Sequence, residues 1–206
     1  MQNPQYEILE TDTGYAGFFH ILRYRLRHRL FNGDWSRVLT RELFERGHAA
    51  AVLPYDPVTD RVVLTEQFRI GALQAPGGPW LLEIVAGMIE AGETPEDVVR
   101  REAVEEIGCA VGDLVSICDY YVSPGGTSER IHLFCGRVDA AQASGIHGAA
   151  DEDEDIRVVV MSADEAIAHM QAGKIVSAAP IIALQWLMMN RASLREHWEQ
   201  GESQAG

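Results

Sequence analysis

Residues 87–109 read GMIEAGETPEDVVRREAVEEIGC, and the punctuation of this stretch decides what it builds. Thr94 has the hydroxyl of an N-cap, Pro95 suits the first helical position, and Asp97 stands where a capping partner belongs. Gly108 supplies a stop that can turn left-handed. Between these signals Val99, Ala103 and Ile107 recur every fourth residue, the stripe of a helix lying on a core. Glu102 and Glu106 are also four apart and share one helix face, with Glu105 beside them. Like charges at that spacing repel, and they lie toward the helix C-terminus, where the macrodipole disfavours anions. Arg100 and Arg101 offset part of this. An acidic cluster of this kind is ordinarily a solvated helix face; its other use is a wall of hard oxygen ligands for divalent cations.

Working outward, the helix is set among strands. Trp80–Ala86 is an apolar strand leading into it. Ala49–Pro54 and Val62–Phe68 flank Asp56-Pro57-Val58-Thr59-Asp60 and predict a hairpin with a five-residue turn. Further strands are expected at 114–122, 129–138 and 156–161. Helices are expected at 163–172, capped by Ser162 with Glu165, and at 178–190. Strands mixed with helices give an α/β layered fold. Residues 1–47 read as a small β-region. In 23–30 the arginines Arg23, Arg25, Arg27 and Arg29 alternate, so a strand carries all four on one face, expected to be a solvated or subunit-facing surface rather than a phosphate clamp. Asn32-Gly33 is a tight-turn signal, with 35–46 returning as a strand. The chain is thus expected to divide into an N-terminal β-region (1–47), a main domain (48–198) and a flexible tail (199–206).

The chain has 206 residues and a formal charge of 17 − 31 = −14. So negative a surface repels nucleic acid polymers, whose binding depends on Lys and Arg meeting phosphates. It also repels a polyphosphate ligand unless metal ions reverse the local field. No apolar run approaches the ~18 residues of a membrane span, and no secretory signal is recognisable at Met1-Gln2-Asn3-Pro4. Cys109, Cys118 and Cys135 are odd in number and widely spaced, against a disulfide framework or a CxxC zinc site. A reducing cytoplasm is the expected setting.

The 87–109 stretch resembles the signature box of the Nudix hydrolase superfamily: G, five residues, E, seven residues, R-E, an aliphatic position, any residue, E-E, any residue, G and an aliphatic position. Gly87, Glu93, Arg101, Glu102, Glu105, Glu106 and Gly108 fall in register. Ala103 and Cys109 fill the apolar slots, Cys109 being a small departure. Over residues 15–190 the chain is similar to the bacterial ADP-ribose pyrophosphatases of that superfamily. The supporting stretches are RLRHRLFNG from Arg25, RELFERGH from Arg41, SPGGTSE from Ser123 and ADEDEDI from Ala150. Pro124 stands 124 − 109 = 15 residues beyond Cys109, where a proline is associated with ADP-sugar specificity.

The resemblance implies a Nudix-type α/β/α sandwich with a mixed sheet, beside the small antiparallel N-terminal region. It implies Mg²⁺, with Mn²⁺ as a possible substitute, held by the Ala86 carbonyl, Glu102, Glu106 and Glu154. Glu152 is the expected general base, with Glu105 its main competitor. Around the substrate it implies Phe18 and Phe19 near the base, Arg41, Glu42, Arg46 and Arg69 about the nucleotide, and Met88 through its backbone. Ser123, Pro124, Gly125 and Glu129 fall on the terminal-ribose side. The implied reaction is hydrolysis of ADP-ribose to AMP and ribose 5-phosphate by a homodimer that exchanges its N-terminal region. Alternatives are a Nudix hydrolase of another nucleoside diphosphate sugar or dinucleotide, and a non-catalytic ADP-ribose sensor. Such sensors commonly lack box glutamates, which are all present here.

Overall fold

The computed structural model describes residues 5–148 and 153–205, with side chains described to 199. The chain separates into two compact units. One runs up to His48 and takes in Tyr121–Arg130; the other comprises Ala49–Tyr120 and the chain from Ile131 on.

In the first unit β1 (Tyr6–Ala16), β2 (His20–His28) and β3 (Leu39–Glu45) form an antiparallel sheet in that order. The register shifts between Ile8 and Glu10, making Leu9 an extra residue. That bulge restores the side-chain parity, so that Glu7, Glu10 and Asp12 stand opposite Arg27, Arg25 and Arg23. Arg27 and Arg25 bond to their partners at 2.6 and 2.8 Å, and Arg23 lies 3.6 Å from Asp12. The Arg27 and Arg29 guanidinium groups also cover the Trp35 ring, at 4.8 and 4.2 Å. The arginine stripe stays half-exposed, as a solvated face should, and is at the same time paired within its own sheet, because its acidic partners lie on a strand whose register the bulge sets. Strand β3 holds residues 121–130 in this unit. Phe44 N donates to the Gly126 carbonyl (2.8 Å), and Ser128 donates to Glu45 (2.7 Å). Nothing local in the sequence ties these segments together.

The second unit is built on β4 (Ala49–Asp56), β5 (Arg61–Phe68), β6 (Trp80–Glu83), β7 (Val85–Met88), β8 (Leu114–Tyr121), β9 (Arg130–Arg137), β10 (Ile146–His147) and β11 (Ile156–Ser162). They make one mixed sheet in the order β10-β11-β5-β4-β9-β8, with β4 and β9 parallel. Strands β4 and β5 pair only at Tyr55↔Val62 and Asp56↔Arg61, then splay apart. Into the opening come β6, paired along β5 from Thr65↔Glu83 to Phe68↔Trp80, and β7, paired along β4 from Ala49↔Met88 to Val52↔Val85. The apolar strand expected over 80–86 is thus two strands with Ile84 as the joint. The splay of its neighbours, a non-local feature, imposes the break.

Alternation along β4 sorts the core onto two faces. Ala50 and Val52 pack with Val98, Val99, Ala103 and Ile107 of helix α1 (Pro95–Ile107). Ala51, Leu53 and Tyr55 pack with Ala163 and Ala166 of α2 (Ala163–Gln171) and Leu184, Leu187 and Trp198 of α3 (Ala178–Ala205). The unit is the α/β/α sandwich expected, one helix against two. Helix α3 runs well beyond residue 190, where the sequence pattern ended it. Its buried stripe continues through Leu194 and Trp198, and Arg191 is tied to Asp60 and Asp164. Among the described residues no helix is long and apolar enough to cross a membrane.

Candidate active site

The site grows from the contact between α1 and β7. Both cap signals of α1 are realised. Thr94 accepts from Asp97 N while the Asp97 carboxylate accepts from Thr94 N, and Gly108 closes the helix at φ 65°. With the termini fixed, the buried stripe turns Glu102 and Glu106 toward β7. Glu106 is only 3% exposed, and its carboxylate accepts from the Ala86 backbone N–H at 3.3 Å. The Glu102 carboxylate lies over Gly87 so closely that any Cβ at that position would overlap it. A side chain at position 87 would therefore displace the Glu102 carboxylate from its place over β7.

Arg101 organises the helix face. Its Nε and Nη2 donate to the two oxygens of Glu93, at 2.9 and 3.2 Å, and its Nη1 reaches Glu102 (2.7 Å) and Glu105 (3.1 Å). Glu93 also accepts from Glu90 N (3.1 Å), which ties the loop before the helix to its middle. Arg101 holds the Glu93 carboxyl below the usual range, and Glu93 in turn pushes Arg101 up. Arg100, expected to relieve the acidic cluster, turns instead to the carbonyls of Val111 and Gly112.

Burial raises Glu102, with Arg101 opposing and Glu105 and Glu154 reinforcing the rise. Burial raises Glu106 much further, helped by the charges of Glu102 and Glu154 and opposed by the Ala86 N–H and Arg69. A buried carboxylate with a half-buried one beside it on the same helix face suits a hard divalent cation with oxygen ligands. Glu154 lies within electrostatic reach of both. Among the described residues, however, no three His, Cys, Asp or Glu side chains converge on one point. Ala86 lies in β7 in register with Ala51, and Met88 is 40% exposed at the strand's end. Arg69 donates to Glu83 at 2.7 Å. Glu152 lies outside the described residues.

The other residues named from the sequence belong to the first unit. The exposed Phe18 ring meets Phe19 edge-on at 4.8 Å, and Phe19 meets Phe44 at 5.2 Å. Arg46 covers the Phe19 ring at 5.1 Å and pairs with the buried Glu129 at 3.5 Å. Arg41 donates to the Thr40 carbonyl, and Glu42 is exposed opposite Arg23. The Ser123 carbonyl accepts from Gly126 N and Thr127 N, both at 3.0 Å, so Ser123, Pro124 and Gly125 form an exposed tight turn.

The sequence reading missed two features. Glu83 closes the Arg69 pair, and Thr65 and Gln67 are buried polar residues inside a strand that otherwise reads apolar. The interruption of V-V-L by T-E-Q was the available signal.

An i, i+4 carboxylate pair on a capped helix, one member buried and one half-buried, pressed against a glycine strand end in a mixed α/β/α sandwich, is a class of site suited to a hard cation. The chain belongs to the Nudix family: the NUDIX domain matches residues 45–184. The ADP-ribose pyrophosphatase of Escherichia coli (strain K12) is 55% identical over 192 residues, 93% of this chain and 92% of that protein. The ADP-ribose pyrophosphatase of Haemophilus influenzae is 50% identical over 196 residues, 94% of this chain and 90% of that protein. The GDP-mannose pyrophosphatase of Pectobacterium atrosepticum is 40% identical over 155 residues, 75% of this chain and 79% of that protein. A crystal structure titled as an ADP compounds hydrolase shares the fold with a TM-score of 0.68 at 19% identity, covering 98% of each chain. Nudix hydrolases generally need divalent metal ions.

Proposed function

We propose that the chain hydrolyses the pyrophosphate of ADP-ribose to AMP and ribose 5-phosphate, with Mg²⁺ as the metal and Mn²⁺ as a substitute. The observation that carries this reading is the Glu102–Glu106 pair, Glu106 buried and Glu102 half-buried, against Ala86–Gly87 inside the box. The names of the relatives at 50 and 55% identity supply the substrate. The Ala86 carbonyl, Glu102, Glu106 and Glu154 are the residues that would hold the cation. When bound it neutralises the pyrophosphate and makes phosphorus more open to attack.

The protein's own groups do the rest. Glu152 takes a proton from the attacking water, an effect typically worth ~10²–10⁴-fold; Glu105 is the alternative base. The water oxygen bonds to one phosphorus as the bridging phosphorus–oxygen bond breaks, and each product leaves with one phosphate. Arg101 keeps the helix face in register, and Arg69, while paired with Glu83, is assigned to the nucleotide. Phe18 and Phe19 are assigned to the adenine, and Arg41, Glu42 and Arg46 to the nucleotide. The Met88 backbone is assigned to the substrate, with Ser123, Pro124, Gly125 and Glu129 on the terminal-ribose side.

The N-terminal sheet is assigned to a homodimer in which each subunit exchanges this region. Strand β1 is exposed along its whole length and carries Tyr6, Ile8, Leu9 and Tyr15 at 46–62% exposure. An edge strand of that kind favours pairing with a second chain. Light scattering at micromolar concentration checks it; a stable, fully active monomer refutes it. Three unpaired cysteines suit a reducing cytoplasm.

A second reading, hydrolysis of another nucleoside diphosphate sugar, is favoured by the 40% identity to a GDP-mannose pyrophosphatase. Hydrolysis of ADP-ribose and GDP-mannose in parallel, in ¹⁸O water with Mg²⁺, separates the two. The reading predicts AMP and ribose 5-phosphate, with one ¹⁸O on a single product; faster turnover of GDP-mannose would replace it.

A further inference from the structure

Strand β5 carries a polar row that the box does not account for. Thr65 is fully buried and Gln67 is 5% exposed, yet neither Thr65 Oγ1 nor Gln67 Nε2 has a hydrogen-bonding partner. Buried polar atoms of this kind are uncommon, and each calls for a ligand or an ordered water.

The face they occupy is fixed by alternation. Val63, two residues before Thr65, packs with Val99, Ala103 and Ile107 of α1. Thr65 and Gln67 therefore continue along the surface that faces the box helix. Arg69 extends the same row with extended backbone, and its charge acts on Glu106. Thr65 pairs in register with Glu83, the partner of Arg69. On the other flank, β11 pairs with β5 as far as Arg157↔Glu66. Gln67 stands one residue beyond, at the end of β11 from which the chain leads back to Glu154. The row thus lies between the carboxylate face of α1 and the root of the acidic loop.

We propose that Thr65 and Gln67 form a buried notch that holds an ordered water of the divalent cation's outer shell, which makes Gln67 a positioning residue. The chemistry fits: a hydroxyl accepts or donates, an amide N–H donates, and a buried water typically needs about three such partners. A carboxylate on the facing side of α1 would supply the acceptor. If the two side chains were only filling space, valine and methionine would do so without leaving polar atoms unpaired.

The proposal rests on the metal-dependent reading above, and the test keeps the two apart. Mn²⁺ binding to the full-length protein is titrated by electron paramagnetic resonance with no substrate present. The same preparations are melted and assayed for ADP-ribose turnover. Wild-type protein that binds no Mn²⁺ would remove the metal reading itself, and this proposal with it. Given wild-type binding, Gln67→Met should weaken Mn²⁺ about tenfold, in the range known for outer-shell partners. It should lower kcat by a similar factor, leave KM within about twofold and not lower Tm. Thr65→Val, which preserves volume, should act in the same direction and decides the matter if Gln67→Met fails to fold. Unchanged Mn²⁺ affinity and kcat would overturn the proposal. So would a parallel loss of Tm, kcat and KM, the mark of a packing role alone.

Discussion

Glu106→Gln should make the metal-free protein more stable and the metal-loaded protein less stable than wild type. The amide keeps an oxygen for the Ala86 N–H, so the 3.3 Å contact between α1 and β7 survives. What disappears, at a pH high enough to ionise Glu106, is a charge on a group only 3% exposed, placed beside Glu102 and within reach of Glu154. Relief of about 1 kcal/mol, the low end of what an imperfectly compensated buried polar group costs, raises Tm by roughly 2–4 °C in a chain of this size. Metal reverses the order. At about 100 times its dissociation constant a cation stabilises wild type by ~2.7 kcal/mol, and the variant, lacking one anionic ligand, gains much less. Turnover should fall by more than tenfold, since even outer-shell losses cost ~10–100-fold. Thermal melts in EDTA and in excess MgCl₂, with an ADP-ribose assay on the same samples, read all three quantities. A variant that melts below wild type in EDTA and gains as much from Mg²⁺ would refute the reasoning. So would one that keeps more than about a tenth of the rate.

Glu152→Gln should lower kcat by roughly 10²–10⁴ with little change in KM; a larger kcat loss in Glu105→Gln, assayed in parallel, would transfer the base role there. Burial pushes the Asp56 carboxyl up, but Val58 N, Thr59 N, Thr59 Oγ1 and Ala140 N all donate to it and hold it below the ordinary value. Its contribution is full above the ordinary aspartate pKa and fades as pH falls through the lowered one. Asp56→Asn should therefore cost about 1–3 kcal/mol at neutral pH and progressively less in acid, as read from urea midpoints. Arg25→Ala should cost under about 1 kcal/mol, because its bond to Glu10 is half-exposed, and should leave kcat/KM unchanged. A large KM rise in that variant would show the arginine row to be a phosphate clamp after all.

What was legible in the sequence was what short-range chemistry decides. The ends of α1 and the start of α2 could be read because a cap is a contact between residues three apart. The Glu102–Glu106 face followed from helix geometry, and Gly87 from the box that holds it. The break at Ile84 was not legible, because it depends on β4 and β5 separating. The arginine ladder was half legible: alternation showed one face, but its acids lie across a strand whose bulge sets the pairing. Helix α3 outran its reading because the stripe continues through Leu194 and Trp198 after polar positions that resemble an ending. The attachment of 121–130 to β3 rests on bonds such as Ser128 to Glu45, 83 positions apart, and nothing local announces it.

The disposition of the arginines bears on how a chain of charge −14 holds an anionic substrate. Arg101 is shared among Glu93, Glu102 and Glu105, Arg69 is held by Glu83, and Arg157 by Glu66. Arg191 serves Asp60 and Asp164. These cations already neutralise the protein's own carboxylates, so drawing one toward a pyrophosphate uncovers an acid elsewhere. Raising the affinity for the anion through such arginines alone is therefore self-limiting. A divalent cation held, as proposed, by Glu102 and Glu106 would behave differently: it would relieve one buried and one half-buried carboxylate and add positive charge in the same step. The acidic site is then a means of making substrate affinity conditional on metal, and apparent KM should rise as free Mg²⁺ falls while the arginine pairs stay as they are.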